Sequence, residues 1–291
     1  EILSELETEL AETRSLLESG AARLNPGSSW QTVVAGLPRP RSDPDDPGAV
    51  YRGTIAELAE HCTRKSLAPS DLAAQCPVRV LEIPAYMRPV RSSAAYSMPP
   101  GHPPRGGTFF IENKGSGQPP SADLRLLTAH ETYPGHHLLD TCRWRHKRLV
   151  RRQIEFPIFY EGWASFSEEL LFDTGFFGGT ADRLLMAKRR FWRALRGLTD
   201  LDIHMRRLSG DAAARRLVEA GLTPKTARTM IHRYCLKPGY QLAYTLGRRR
   251  FRRLYRRWRR RSDDPTAFAR RVLDQGEIDF AHLELMLLKG G

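Results

Sequence analysis

The sequence predicts a mainly α, multi-helix domain with a small β-sheet lining a cleft. Two observations carry this expectation. From Ser121 onward, apolar residues recur at helical spacing almost without interruption, broken by glycine, proline or Asp-Pro signals. Before that point two short segments read as strands, Val78 to Ile83 and Thr108 to Glu112. At 291 residues with 41% hydrophobic content the chain is long enough for one substantial core or two small ones.

In chain order, Ile2 to Leu24 reads as an amphipathic helix and is followed by a Pro- and Gly-rich connection, Pro26 to Gly48, without regular periodicity. Residues 1–50 are thus expected to be a helix plus connection, the remnant of something longer, and residues 51–291 a catalytic domain. A helix is expected from about Tyr51 to Lys65. The two strands are separated by the turn-rich run Pro99 to Pro104. Helices are then expected near 121–133, 136–150, 158–173, 180–208, 210–220, 223–235, 239–261, 265–274 and 277–288. The strand near Thr108 is expected to line the cleft, where it could pair with an extended peptide. No repeat is evident.

The most informative run is His130-Glu131-Thr132-Tyr133-Pro134-Gly135-His136-His137. Neutral imidazole suits zinc, and a glutamate directly after the first histidine is where zinc hydrolases place the base that activates water. The usual helical spelling has two residues between Glu and the second His. Here, in an ideal helix, His136 would lie about 9 Å along the axis and about 120° around from His130, so one ion would not reach both. Pro134 removes a helical hydrogen bond and Gly135 opens angles closed to other residues. A π-type or looped insertion is therefore expected, swinging His136 into the place of the second ligand. His137 sits further along and is assigned to the surroundings of the metal or to the substrate.

A third protein ligand is needed, and Glu161 is the candidate. It begins Glu161-Gly162-Trp163-Ala164-Ser165-Phe166-Ser167-Glu168-Glu169, which reads as a second helix. Glu168, seven residues on, shares its face and is expected to support a ligating histidine or to bind substrate. Glu131 is expected to be the general base. Tyr240 and Tyr244, one turn apart after Pro238-Gly239, are candidates for the substrate-facing hydroxyl, with Tyr244 as oxyanion donor. His232 is a further candidate for substrate contact. Arg228 and Arg233 are candidates to receive a substrate carboxylate, although arginine is too common in this chain for its type alone to single them out.

These strings, H-E-T-Y-P-G-H-H, E-G-W-A-S-F-S-E and P-G-Y-Q-L-A-Y in that order, resemble the bacterial family known as domain of unknown function 885. The resemblance spans roughly Tyr51 to Leu288. Members look like zinc metallopeptidases of the gluzincin type. This implies a metallopeptidase-like domain with zinc on residues matching His130, His136 and Glu161, and Glu131 as base. Leu139 and Tyr240 depart from the glutamine expected of many relatives.

The expected function is thus a zinc-dependent hydrolase, a peptidase acting on a peptide or small amide. The alternatives are a metal-dependent amidase or esterase, or a non-catalytic metal-binding protein. Net charge is +13, with 39 arginines against 7 lysines. The densest run, Gly247 to Arg261, carries Phe251, Leu254, Tyr255 and Trp258 at helical spacing, which describes a solvated helix with one core-facing stripe and not a nucleic-acid binder. No apolar run approaches the roughly 18 residues of a membrane span, so no membrane partner is expected and a cytoplasmic location is. Cys62, Cys76, Cys142 and Cys235 form no metal-binding pair and read as free thiols.

Overall fold

The computed structural model describes residues 1–87, 94–112 and 119–288. The described residues form a mainly helical body with a three-stranded sheet. Its elements are α1 (Ile2–Leu24), α2 (Trp30–Gly36), α3 (Ala49–Arg64), α4 (Leu72–Gln75), β1 (Val78–Glu82), β2 (Ala95–Ser97), β3 (Gly107–Ile111), α5 (Leu124–Glu131), α6 (His136–Arg145) and α7 (Leu149–Gln153). They continue with α8 (Pro157–Asp173), α9 (Thr180–His204), α10 (Gly210–Glu219), α11 (Pro224–Leu236), α12 (Leu242–Arg259), α13 (Pro265–Gln275) and α14 (Phe280–Leu288).

Three departures from the sequence reading have local causes. The connection after Leu24 holds a short helix, α2, whose first turn is capped by Ser29 accepting from Thr32 N at 3.2 Å. The helix expected over 136–150 stops at Arg145, and a separate short helix, α7, follows. The sheet also has a third strand, β2, only three residues long. Its order is β1-β3-β2, with β1 parallel to β3 (Val78 opposite Gly107) and β2 antiparallel to it (Ala95 opposite Phe110). The Thr108 strand, β3, is therefore paired on both sides, and it is β2, through Ala95 and Tyr96, that reaches the cleft. The pairing with an extended peptide expected of the Thr108 strand is thus not available to it.

The core is built around α8 and α12. Phe251 on α12 meets Phe159, Trp163 and Phe166 of α8 with ring centroids 5.0, 5.6 and 5.9 Å apart. Phe251, Leu254, Tyr255 and Trp258 are all buried, while Arg253, Arg256 and Arg260 face solvent, as the amphipathic spacing requires. The two helices touch backbone to backbone at Gly162 and Gly247. A Cβ on Gly162 would lie 2.5 Å from the Gly247 Cα, and one on Gly247 would lie 2.0 Å from the Ile158 carbonyl oxygen. That close approach sets Glu161, one residue before the crossing, beside Tyr244, three residues before it.

A second buried cluster joins α1 to α9, α10 and α11 through Leu17, Ala21, Leu184, Phe191, Leu217 and Ile231. Glu9 of α1 is completely buried and accepts from Arg190 Nε at 2.8 Å, from Arg249 at 3.1 Å and from Arg248. The break near residue 50 is thus one of connection and not of packing.

Candidate metal centre

Helix α5 delivers His130 and Glu131 in its last turn, and the Pro-Gly pair then ends it. The chain makes a loop, not a π-type turn. The Gly135 amide donates to the Ala129 carbonyl at 3.1 Å and the Leu138 amide to the Thr132 carbonyl at 3.2 Å, and the helix restarts at His136. Only glycine fits at 135, because a Cβ there would stand 1.9 Å from the His130 carbonyl oxygen. The indole of Trp163 on α8 donates to the Pro134 carbonyl at 2.9 Å and fastens the loop from below. His136 is thereby brought beside His130, with ring centroids 4.7 Å apart.

Glu161, from the first half of α8, completes the group. His130 Nε2 lies 3.5 Å and His136 Nε2 3.3 Å from Glu161 Oε2. Ligand atoms of His130, His136 and Glu161 all fall within 4.8 Å of one another, and all three residues are buried. Glu161 Oε1 accepts a hydrogen bond from the Tyr240 hydroxyl at 2.7 Å, whereas the buried Oε2 has no hydrogen-bond partner.

Behind this trio stands a row of supporting groups. His130 Nδ1 is 3.0 Å from Glu168 Oε1. Its proton belongs on that bond, which leaves the Nε2 lone pair facing the trio. Glu168 is in turn gripped by two arginines of α9: Arg193 reaches Oε1 at 2.5 Å and Oε2 at 3.1 Å, and Arg189 reaches the same oxygens at 3.2 and 3.0 Å. Arg193 Nη2 also lies 3.1 Å from His130 Nδ1, but both nitrogens carry protons and both converge on Glu168 Oε1. The His136 ring stacks on Tyr160 at 4.0 Å, and Tyr160 donates to Asp140 at 3.1 Å.

Electrostatics separates three glutamates that share this small space. Burial alone would raise the Glu161 carboxyl, but the His130 and His136 rings beside it hold it well below the usual range. Burial is likewise overcome at Glu168, by Arg189 and Arg193. At Glu131 burial prevails: opposed by His136 and reinforced by Glu161, it pushes the group up to about 7. Two carboxylates are fixed as anions and one is poised to exchange a proton near neutrality. Tyr240 and Tyr244 are both raised, first by burial and then by Glu161, and remain protonated donors.

The trio sits where two cavities meet. One, of about 760 Å³, is bounded by His130, Glu131, His136, Glu161, Tyr240 and Tyr244 and by the inner face of α11. The other, of about 400 Å³, shares His130, Glu131 and Tyr244 and extends toward Asp123, Lys188 and Arg196. His232, Arg228 and Arg233 line the larger lobe. His137 is spent elsewhere. Its Nδ1 meets the Tyr96 hydroxyl at 2.8 Å, and its Nε2 donates to the Cys76 carbonyl at 2.9 Å with the Tyr133 hydroxyl at 3.1 Å. It lines neither cavity, and its role is to fix the start of α6. The roles of Arg189, Arg193 and Tyr160 were missed in the sequence. The spacing of Arg189 and Arg193, one helical turn apart, was visible, but it carries little weight in a chain this rich in arginine.

The residues fit a divalent metal such as zinc. A buried carboxylate oxygen without a hydrogen bond, two imidazole nitrogens aimed at it, and a carboxylate behind one of them are what such an ion needs.

The sequence matches the family described as bacterial protein of unknown function (DUF885) over residues 1–286. The chain belongs to this family. The DUF885 match includes α1, which lies outside the stretch covered by the motifs. Two solved structures share the fold. One is a lipoprotein candidate from Colwellia psychrerythraea, 21% identical, TM-score 0.81, covering 99% of this chain and 52% of its own. The other is a lipoprotein candidate of unknown function from Shewanella oneidensis, 19% identical, TM-score 0.76, covering 99% and 56%. This DUF885 chain spans about half the length of each, and identities this low speak for the fold alone. No curated protein matches the sequence. Among the described residues no helix is long and apolar enough to cross a membrane.

Proposed function

We propose that this DUF885 chain carries the active site of a zinc-dependent hydrolase, of gluzincin-like design, that cleaves peptide bonds. The observation that supports this best is the convergence of His130, His136 and Glu161 within 4.8 Å at the junction of two cavities, with Glu131 on the wall of both. A structural metal site is usually closed by four protein ligands, whereas three ligands on a cleft leave a position for water or substrate.

Zinc bound there would polarise the scissile carbonyl and acidify water. The chain supplies the rest. Glu131, shifted to about 7, accepts a proton from the attacking water and returns it to the leaving amine. Tyr244, kept protonated, donates to the oxygen on which negative charge develops. Tyr240 holds one oxygen of Glu161 and so turns the other toward the histidines. Glu168 orients His130. The same groups would serve an amidase acting on non-peptide substrates, which is the second reading.

The test is metal analysis of the purified protein together with digestion of a peptide library, with and without a chelator. Stoichiometric zinc and chelator-sensitive cleavage are expected. A protein that neither retains nor responds to a divalent metal would overturn the proposal.

A further inference from the structure

Among the described residues, the cationic groups on the larger lobe outnumber its carboxylates. Its wall on α11 presents Arg228, His232 and Arg233, with Lys237 just beyond the helix. The carboxylates on the same lobe are Glu131 and Glu161, and both belong to the centre described above.

Arg233 stands apart from most of the inward-facing arginines; Arg196, on the adjoining cavity, shares the lack of an ion pair among the described residues but lies over the Tyr244 ring at 4.9 Å. Arg143 is tied to Asp140 and Glu277, Arg189 and Arg193 to Glu168, and Arg190 and Arg248 to Glu9. The Nε and Nη2 atoms of Arg233 are cut off from solvent, yet neither has a hydrogen-bond partner among the described residues. Burial works against its charge, and the group that partly offsets this is Tyr234, not a carboxylate. A half-buried guanidinium without an ion pair is free to take one, and its planar fork matches a carboxylate in two parallel hydrogen bonds. The space before it, about 760 Å³, lies within the roughly 300–1,000 Å³ of ligand pockets.

We infer that Arg233, with Arg228 beside it on α11, receives a carboxylate of the substrate, so that this lobe selects peptides bearing a free C-terminus or an acidic side chain. The inference rests on the hydrolase reading for the placement of the scissile bond, but its ligand chemistry is separable from catalysis. A carboxylate entering this lobe meets the side of Arg233 that lines it, on the same wall system as His136 and Glu161.

The test is equilibrium binding, by fluorescence anisotropy at fixed salt, of three dansyl-labelled alanine pentapeptides to the zinc-supplemented Glu131→Gln protein. One probe has a free C-terminus, one is C-terminally amidated, and one is amidated with a single internal glutamate. The free acid should bind at least about tenfold more tightly than the neutral amide, the scale of a charge-assisted hydrogen-bonded pair. Arg233→Gln should erase that difference and Arg233→Lys keep part of it, with thermal melts showing that both fold. If the glutamate probe matches the free acid, a carboxylate is read from either source; if it matches the amide, only the C-terminus is read. Equal binding of all three probes, or no binding of any, overturns the inference. Cleavage that ignores both the C-terminal group and the glutamate would sink this inference and leave the hydrolase intact. Selective binding without cleavage by the unsubstituted chain would do the reverse.

Discussion

Tyr240 donates to one oxygen of Glu161 at 2.7 Å while the other oxygen faces His130 and His136 without a hydrogen bond. The carboxylate is thereby divided between a protein donor and a place for a cation. The division gives each residue around it a distinct experimental signature.

His136 and His137 are adjacent and should behave as opposites. His136→Ala is expected to abolish stoichiometric zinc while leaving the melting temperature of the metal-free protein nearly unchanged. His137→Ala should retain the site but lose about 1–3 kcal/mol, because the Cys76 carbonyl and the Tyr96 hydroxyl are left unpaired in the core. Metal content by mass spectrometry and urea unfolding decide the matter, and loss of zinc confined to the His137 variant would reverse the ligand assignment.

Glu131→Gln should keep zinc at full occupancy and lower turnover by about 10² or more, as removal of a general base does. The base works only when deprotonated, so kcat/KM is expected to rise with pH through an acid limb. Burial sets that limb at about 7 in the metal-free centre, and a nearby cation moves it lower. A rate that falls as pH rises across this limb would remove Glu131 from the role.

Glu168 never faces the cation, yet Glu168→Gln should weaken zinc affinity by about 10- to 100-fold, the usual effect of removing a carboxylate behind a ligating histidine. Competition with a chromogenic chelator measures this directly. An unchanged affinity would reduce Glu168 to a counter-ion for Arg189 and Arg193.

Gly162→Ala should destabilise the fold by about 1–3 kcal/mol, the cost of forcing a methyl group into the α8–α12 contact. The displacement should also disturb Glu161, so zinc affinity and stability are expected to fall together. A variant that melts like the unsubstituted protein would show that the two helices can separate freely.

Acid should weaken the protein between about pH 6.5 and 4. Burial lowers His137 to about 4, so over this interval the unfolded chain, with histidine near 6.5, binds more protons than the folded one. Stability therefore falls as pH drops through the window, this group contributing up to roughly 3 kcal/mol at 1.36 kcal/mol per pH unit. Denaturation midpoints at pH 7, 5.5 and 4.5 test this, and a flat profile would contradict it.

The centre was legible in the sequence because its residue types are unusual in combination. His-Glu followed by Pro-Gly-His states both the candidate ligands and the break that joins them, and Glu161 opens a segment whose Trp and Phe spacing is plainly helical. Arg189 and Arg193 escaped because their information is positional, and a chain with 39 arginines hides two. Strand β2 escaped because three residues cannot establish an alternation. The tie between Trp163 and the Pro134 carbonyl, spanning 29 residues, has no local signature at all.

Glu9 sets a limit on how far the chain can be shortened. The motifs of the candidate centre all lie beyond residue 129, which suggests trimming to the part that bears them. Removal of α1 would take Glu9 from Arg190 and Arg248, leaving the two to share Glu169, and would uncover the Leu184 and Phe191 face of the second cluster. Arg190 is flanked by Arg189 on α9, and Arg248 follows the glycine on which α8 crosses α12. Any folding unit that holds the centre therefore includes α1, and a fragment cut to the motifs would lose the grouping of His130, His136 and Glu161 through loosening of these two helices.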